Sequence, residues 1–167
     1  MVFDTVFDAS QQGLSPYSFA AFGLIFVAVG CLLVFASGKM EVIFRGGLKG
    51  WPRKIFGYFF LIFSVCWTAS AFVDTYMRQE EIGKYLAGRD VNIVDGPVEN
   101  FHPMPSSGHG WETFQVGGKD FSYSDYVITG GFNQTSTLGG PVHAGEYVRI
   151  AYRDGEILRL EIARPGP

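Results

Sequence analysis

Two long charge-free runs dominate the hydrophobic pattern of the chain, and short alternating runs replace them in its second half. Phe19–Ala36 spans 18 residues and Ile55–Val73 spans 19, neither holding Asp, Glu, Lys or Arg. About 17–25 apolar residues carry a helix across the hydrocarbon core. Both runs therefore predict transmembrane helices rather than buried helices of a soluble α-protein. Ser15-Pro16 supplies a cap and a first-turn proline for the first helix, and Trp51-Pro52 opens the second in the same way. Tyr17, Trp51, Tyr58 and Tyr76 cluster near the ends, where amphipathic rings prefer the membrane interface, while Trp67 lies deeper.

Small residues recur every seven positions along both runs: Gly23, Gly30 and Ser37 in the first, Gly57, Ser64 and Ala71 in the second. Folded as an antiparallel hairpin, they pair Gly23 with Ala71, Gly30 with Ser64 and Ser37 with Gly57, the register expected of helices packed on small residues. The N-terminus is no secretory signal, because Asp4 and Asp8 stand where a positive region belongs.

Charge then sets the orientation. Residues 1–18 contain no Lys or Arg, whereas 38–54 contain five: Lys39, Arg45, Lys49, Arg53 and Lys54. Arg78, Lys84 and Arg89 follow the second span but are diluted by Asp74, Glu80, Glu81 and Asp90. The positive-inside rule places the connection in the cytoplasm and both termini outside. Met40, Val42, Ile43 and Phe44 add an apolar stretch there, which topology control accounts for more simply than an interfacial segment.

After residue 74 the period changes. The second helix is expected to continue to Leu86, with Gly88 as its stop. Short β-runs follow: Val91–Phe101 interrupted by Gly96-Pro97, then Glu112–Val116 and Lys119–Tyr123. A Gly117-Gly118 type I′ turn sets Phe114 opposite Phe121 and Val116 opposite Lys119. In the last hairpin a two-residue Asp154-Gly155 turn would face Ile150 with Arg159. A three-residue loop, Arg153-Asp154-Gly155, instead pairs Ile150 with Leu158 and Val148 with Leu160. Five strands in so short a stretch predict a small five-stranded OB-like barrel, with a sandwich or SH3-like barrel as alternatives. The predicted organisation is an extracytoplasmic segment 1–15, a span 16–37, a basic connection 38–52, a span with its extension 53–87, and an all-β domain 91–163.

His109, Glu112, Phe114, the run Phe121 to Tyr126, the run Gly131 to Thr135, Gly139-Gly140-Pro141 and Val148-Arg149-Ile150 form a recognisable string. It resembles a module of uncharacterised bacterial membrane and envelope proteins, over roughly residues 91–163. The resemblance implies a bacterial origin and a compact domain, and transfers no function.

Candidate chemistry is sparse. Cys31 and Cys66 both lie in spans and read as small core residues, not a disulfide. From Asp74 onward there are eight basic and thirteen acidic residues, which argues against nucleic acid as a partner. No Walker loop or dinucleotide fingerprint occurs, so no cofactor is expected. A metal-dependent hydrolase would draw on His102, His109, His143, Asp125 and Glu112, but His-x6-His-x2-Glu matches no zinc signature. Ser122 and Ser124 lack a nucleophile elbow. Glu112 and Asp125 as a glycosidase pair lack anything that sets their separation. Asn133-Gln134-Thr135 matches a glycosylation sequon, which in a bacterial chain reads as loop capping.

The segment Ser124–Gly145, rich in Gly, Thr, Asn and Ser, is long for a connection in a compact domain. Trp111, Tyr126, Phe132 and Asn133 lie in or near it and are the candidate contact residues, aromatic rings being favoured at interfaces. The expected function is a non-enzymatic protein anchored in the inner membrane that presents a β domain to a membrane or envelope protein, as an accessory subunit. The lipid bilayer is its other partner.

Overall fold

The computed structural model describes residues 1–35, 51–105 and 109–164, with the side chains of 51–53 excepted. Ser37, the basic residues from Lys39 to Lys49, and Ser106-Ser107 lie outside the described residues. The chain divides into two compact units, one made of Met1–Gly13 with Arg78–Pro167 and the other of Leu14–Met77.

The second unit holds helix α1 (Ser18–Phe35) and most of helix α2 (Trp51–Gly88). Both are long and apolar enough to cross a membrane. The helices are antiparallel, and small residues admit their close approach, but not in the register expected. A Cβ at Gly23 would lie 2.5 Å from Thr68 Oγ1, one at Gly30 2.9 Å from Leu61 Cα, and one at Gly57 3.5 Å from Leu33 O and Val34 Cγ2. Gly23 thus faces Thr68 and not Ala71, and Gly30 faces Leu61 and not Ser64. Relative to expectation the helices slide by three residues, about 4.5 Å at the helical rise. The physical reason is volume: a small residue opposite another small residue leaves a void, whereas a glycine opposite a leucine or tryptophan receives it. Trp67 fills this role beside Gly23, with Phe19 and Phe26 rings at 5.7 and 6.5 Å. Ser64 is buried and returns its hydroxyl to Phe60 O at 2.6 Å, the local bond that spares a helix a polar orphan.

The first unit is not a five-stranded barrel. Among the described residues it has seven strands in two sheets, neither closed: β1 (Val2–Asp8), β7 (Glu156–Arg164), β6 (Tyr147–Arg153) and β2 (Asn92–Pro97) in that order, and β3 (Glu99–His102), β4 (Glu112–Val116) and β5 (Lys119–Tyr123). The strand missed from sequence is β1. It pairs antiparallel with β7 from Val2 opposite Arg164 to Asp8 opposite Arg159, and occupies the edge of β7 that a closing strand would need. The expected first strand, meanwhile, splits at Val98. The stretch before it pairs with β6 and the stretch after it with β4, while Val98 itself bonds to Gly145 and Glu146 at 2.9 and 2.8 Å. A strand that changes sheets in this way makes the corner of two packed layers.

The β4–β5 hairpin adopts the expected register, with Phe114 opposite Phe121, Val116 opposite Lys119, and both turn glycines at positive φ. The β6–β7 hairpin does not. Asp154 and Gly155, at φ 51° and 85°, form a two-residue type I′ turn, with Arg153 opposite Glu156. The mismatch this would create is removed further along, where a bulge between Ala151 and Tyr152 leaves Leu158 as the extra residue and brings Ile150 opposite Leu160. Apolar side chains still face each other, but Ile150 meets Leu160 and Val148 meets Ile162, in place of the expected Leu158 and Leu160.

That bulge lets β7 feed two cores. Ile157 and Leu160 join Phe114, Val116, Phe121, Tyr123, Phe132, Val142, Val148 and Ile150 between the sheets. Leu158 turns the other way, into a second cluster with Ile82 and Ala9. The α2 extension is thereby packed through Ile82 against strand β7. It ends in a Schellman cap in which Arg89, not Gly88, is left-handed at φ 56°, and Asp90 N–H donates to Tyr85 O at 3.0 Å. Arg153 reinforces the end by lying over the Tyr85 ring at 3.7 Å and pairing with Asp90 at 2.6 Å.

Candidate functional site

The segment from Ser124 to Gly145 carries three of the four candidate contact residues, Trp111 lying just before β4, and one buried acid organises it. Glu112 opens β4 and is fully buried. Tyr123, opposite it on β5, donates its hydroxyl to Oε1 at 2.5 Å. Ser136 donates its amide to Oε2 at 3.0 Å and its hydroxyl to the same oxygen at 2.6 Å, with Met104 N–H at 3.4 Å completing the set. Every neighbour is a donor, which matches the acceptor capacity of a carboxylate. Burial first, and then the bond to Glu112, push the Tyr123 hydroxyl far above the usual phenol range.

Around this anchor the segment is built, not slack. Thr135 leads into a 3-10 turn (Ser136–Leu138) that Gly139 ends at φ 78°. Its carbonyl accepts from Leu138 and Gly140 N–H at 3.0 and 2.8 Å, and its hydroxyl donates to Asp125 Oδ2 at 3.3 Å. Gly140 is irreplaceable sterically, since a Cβ there would sit 2.2 Å from Gln134 O. Earlier in the segment, Ser124 O accepts from Val127 N–H at 3.1 Å, closing a turn. Further on, Glu156 gathers the Thr129 hydroxyl, the Gly131 amide at 3.0 Å and the Arg78 guanidinium.

The four expected contact residues part company here. Trp111 and Tyr126 are 55% and 57% exposed, and the His109 ring lies against Tyr126 with centroids 4.4 Å apart. Phe132 is no contact residue: it is buried in the main core, 5.4 Å from the Phe7 ring and 5.0 Å from that of Tyr123. Its amide is bonded to Ile157 O at 2.8 Å, which draws the segment onto β7 and turns the ring inward. Asn133 is half-buried and donates its amide to Val127 O at 3.0 Å, so it braces the turn behind Tyr126.

The histidine alternative is not assembled. Among the described residues no three His, Cys, Asp or Glu side chains gather as a metal-binding group. His102 Nδ1 is held by Asn100 O at 2.7 Å, His109 lies on Tyr126, and the amide of His143 donates to Glu146 at 3.0 Å. Asp125 bonds through one oxygen to Thr135, and its buried Oδ1 has no partner among the described residues. Glu112 is closed to solvent with both oxygens occupied, a poor position for an acid that must reach a glycan. Ser124 is buried, and its Oγ accepts from Tyr126 N–H at 3.4 Å.

One feature has no counterpart in the sequence reading. A groove of about 490 Å³ lies beside the β1 bulge, lined by Thr5 to Asp8, Gln11, Gln12, Arg159 and Glu161. Asp8 anchors its wall, bonding Ser10 N–H at 2.9 Å and the Arg159 guanidinium at 2.8 Å. Burial works against ionising Asp8, but the Ser10 and Arg159 bonds outweigh it and hold the carboxyl below its usual range. Asp8 and Arg159 stand 151 positions apart. The one local hint was composition, because Val2 to Asp8 reads Val-Phe-Asp-Thr-Val-Phe-Asp, rich in β-formers.

The surface thus carries two exposed aromatic rings, Tyr126 on the braced segment and Trp111 just before β4, while Glu112 and Glu156 are committed to holding the segment. Comparison with protein-family models, with curated proteins and with solved structures finds no match for this chain.

Proposed function

We propose that this is a non-enzymatic envelope protein of the inner membrane, which holds a two-sheet β domain outside the cytoplasm for contact with another membrane or envelope protein. The observation that carries this reading is connectivity. The two apolar helices are inserted between β1 and β2, and β1 is paired with the last strand. Both ends of the chain thus belong to one folded unit, which a bilayer allows only if the chain crosses it an even number of times. Two spans satisfy this, and the basic residues of 38–54 orient them with the connection inside. Trp111 and Tyr126 are the partner contacts, stiff amphipathic rings that bury large area at small entropic cost.

The test places a photocrosslinking amino acid at 111, 126 and, for reference, 154, in cells, alongside a C-terminal reporter active only outside the cytoplasm. Reporter activity and one discrete adduct from 111 and 126, absent from 154, are expected. An inactive reporter refutes the topology. Crosslinks no stronger at 111 and 126 than at 154 refute the contact surface.

A further inference from the structure

An open sheet has two outer edges, and three of the four edges in the β domain are guarded. Strand β2 ends in Gly96-Pro97 and is met by the β4–β5 turn, where a Cβ on Gly117 would stand 2.8 Å from Val94 Cγ2. Strand β3 has four residues and a register shift beside Asn100, which is left-handed at φ 47°. Strand β5 has five residues and opens with Lys119. Short length, proline, lysine and bulges are the devices that keep an edge from pairing. Strand β1 has seven residues and neither Lys nor Pro. Among the described residues its backbone pairs only with β7, so alternate N–H and C=O groups along Val2–Thr5 point outward unpaired. The bulge at Val6 ends that stretch, and the groove opens beside it.

Glu161 is the unusual group in that groove. Its side chain is only 21% exposed, yet among the described residues it accepts no hydrogen bond. Its ion-pair partner Arg149 stands at 3.8 Å, with the guanidinium over the Phe3 ring. Arg159 is committed to Asp8 through two contacts of 2.8 Å. With Asp8 thus neutralised, the lining keeps the negative charge of Glu161, alongside the side-chain oxygens of Thr5, Gln11 and Gln12. A carboxylate withdrawn this far from water is stabilised by a cationic donor. We propose that β1 accepts an extended strand of a partner protein, and that a basic side chain of that strand enters the groove to bond Glu161. This surface is separate from Trp111 and Tyr126 and draws on the β unit alone. Main-chain bonds along Val2–Thr5 supply affinity, and the groove supplies specificity. A second copy of this chain is a poor occupant, because its own β1 carries Asp4 and Asp8 and no basic residue.

The test selects short random peptides displayed on phage against the full chain in detergent micelles, after removal of those that bind empty micelles. Enriched peptides are expected to share one Arg or Lys within an alternating, proline-free segment. Synthetic copies should slow amide exchange along Val2–Thr5. They should bind at least about tenfold more weakly to Glu161→Gln, and equally so to the parent chain when their basic residue is replaced by norleucine. The second contrast needs no protein variant, so it decides the matter even where Glu161→Gln folds poorly. Absence of enrichment, or enrichment without a shared basic residue, overturns the proposal. Peptides that protect Tyr126 to Thr129 and leave β1 unchanged overturn it as well. Protection of β1 that rises with the concentration of the chain alone overturns it in favour of a second copy.

Discussion

Glu112 is the residue whose loss should be felt furthest. Replacing it by Gln keeps its shape but turns one acceptor oxygen into a donor amide. One end can still accept from Tyr123 at the present 2.5 Å, while the other meets the Ser136 amide, an obligate donor now at 3.0 Å, and the Ser136 hydroxyl at 2.6 Å, which must turn from donor to acceptor. A hydrogen bond to a charged group contributes about 1.5–3 kcal/mol, and a buried group left unpaired costs about 1–3 kcal/mol. Ser136 is only half-buried and can recover water, so E112Q should cost about 1–3 kcal/mol, and E112A, which also strands Tyr123 and opens a cavity, about 3–5 kcal/mol. Tyr123→Phe removes one donor, and the double-mutant cycle with E112Q should show a coupling of at least about 1 kcal/mol. The assay is chemical unfolding of the full chain in detergent, with amide exchange at Ser136 as the local readout. That amide should exchange about tenfold faster for each 1.4 kcal/mol lost by local opening. An E112Q protein within about 0.5 kcal/mol of the parent, with Ser136 exchange unchanged, would show that the carboxyl does not hold the segment.

Gly140→Ala should destabilise the β domain by about 1–3 kcal/mol or more, because the added methyl meets backbone at Gln134 and Thr135 that cannot swing aside; an unfolding midpoint equal to the parent's would contradict this. Gly30→Leu should lower the thermal midpoint of the hairpin in detergent much more than Gly83→Leu, whose added Cβ has nothing within 4 Å. Asp8 has a folded-state value held below its unfolded one, so its stabilisation is present above about pH 4 and is lost as pH falls further. Asp8→Asn should therefore weaken the protein at neutral pH and flatten the acid limb of its stability profile, measured by unfolding across pH; an unaltered acid limb would dismiss the Ser10 and Arg159 bonds as the cause.

The elements with a strong local signal were legible without any structure. Charge-free length marks α1 and α2, and the β4–β5 register follows from Gly117-Gly118 and the alternation around Phe114 and Phe121. Burial of Ile150 against β7 was legible too, since apolar residues must face each other, but the device was not. A longer turn would set Ile150 against Leu158, whereas the two-residue turn with its downstream bulge sets Ile150 against Leu160 and releases Leu158 to pack with Ile82 and Ala9. Among the contact candidates, Trp111 and Tyr126 emerged exposed, while Phe132 looked equivalent in sequence and was drawn inside by a single backbone bond to Ile157.

The sequence by itself determined what is encoded in runs: two apolar helices, a basic connection between them, an antiparallel hairpin built on glycines, and a β-rich second half. Only the tertiary structure decided how those parts meet. It brought Val2–Asp8 across the whole chain to β7 and so opened the expected barrel into two sheets. It slid the helices three residues so that glycines receive large side chains, and it buried Glu112 as the anchor of the polar segment. These outcomes share one cause. Hydrophobic period and turn chemistry act over a few neighbours and are written locally, whereas strand partners, packing volumes and the donors around a buried acid come from residues distant in sequence and exist only once the chain has closed on itself.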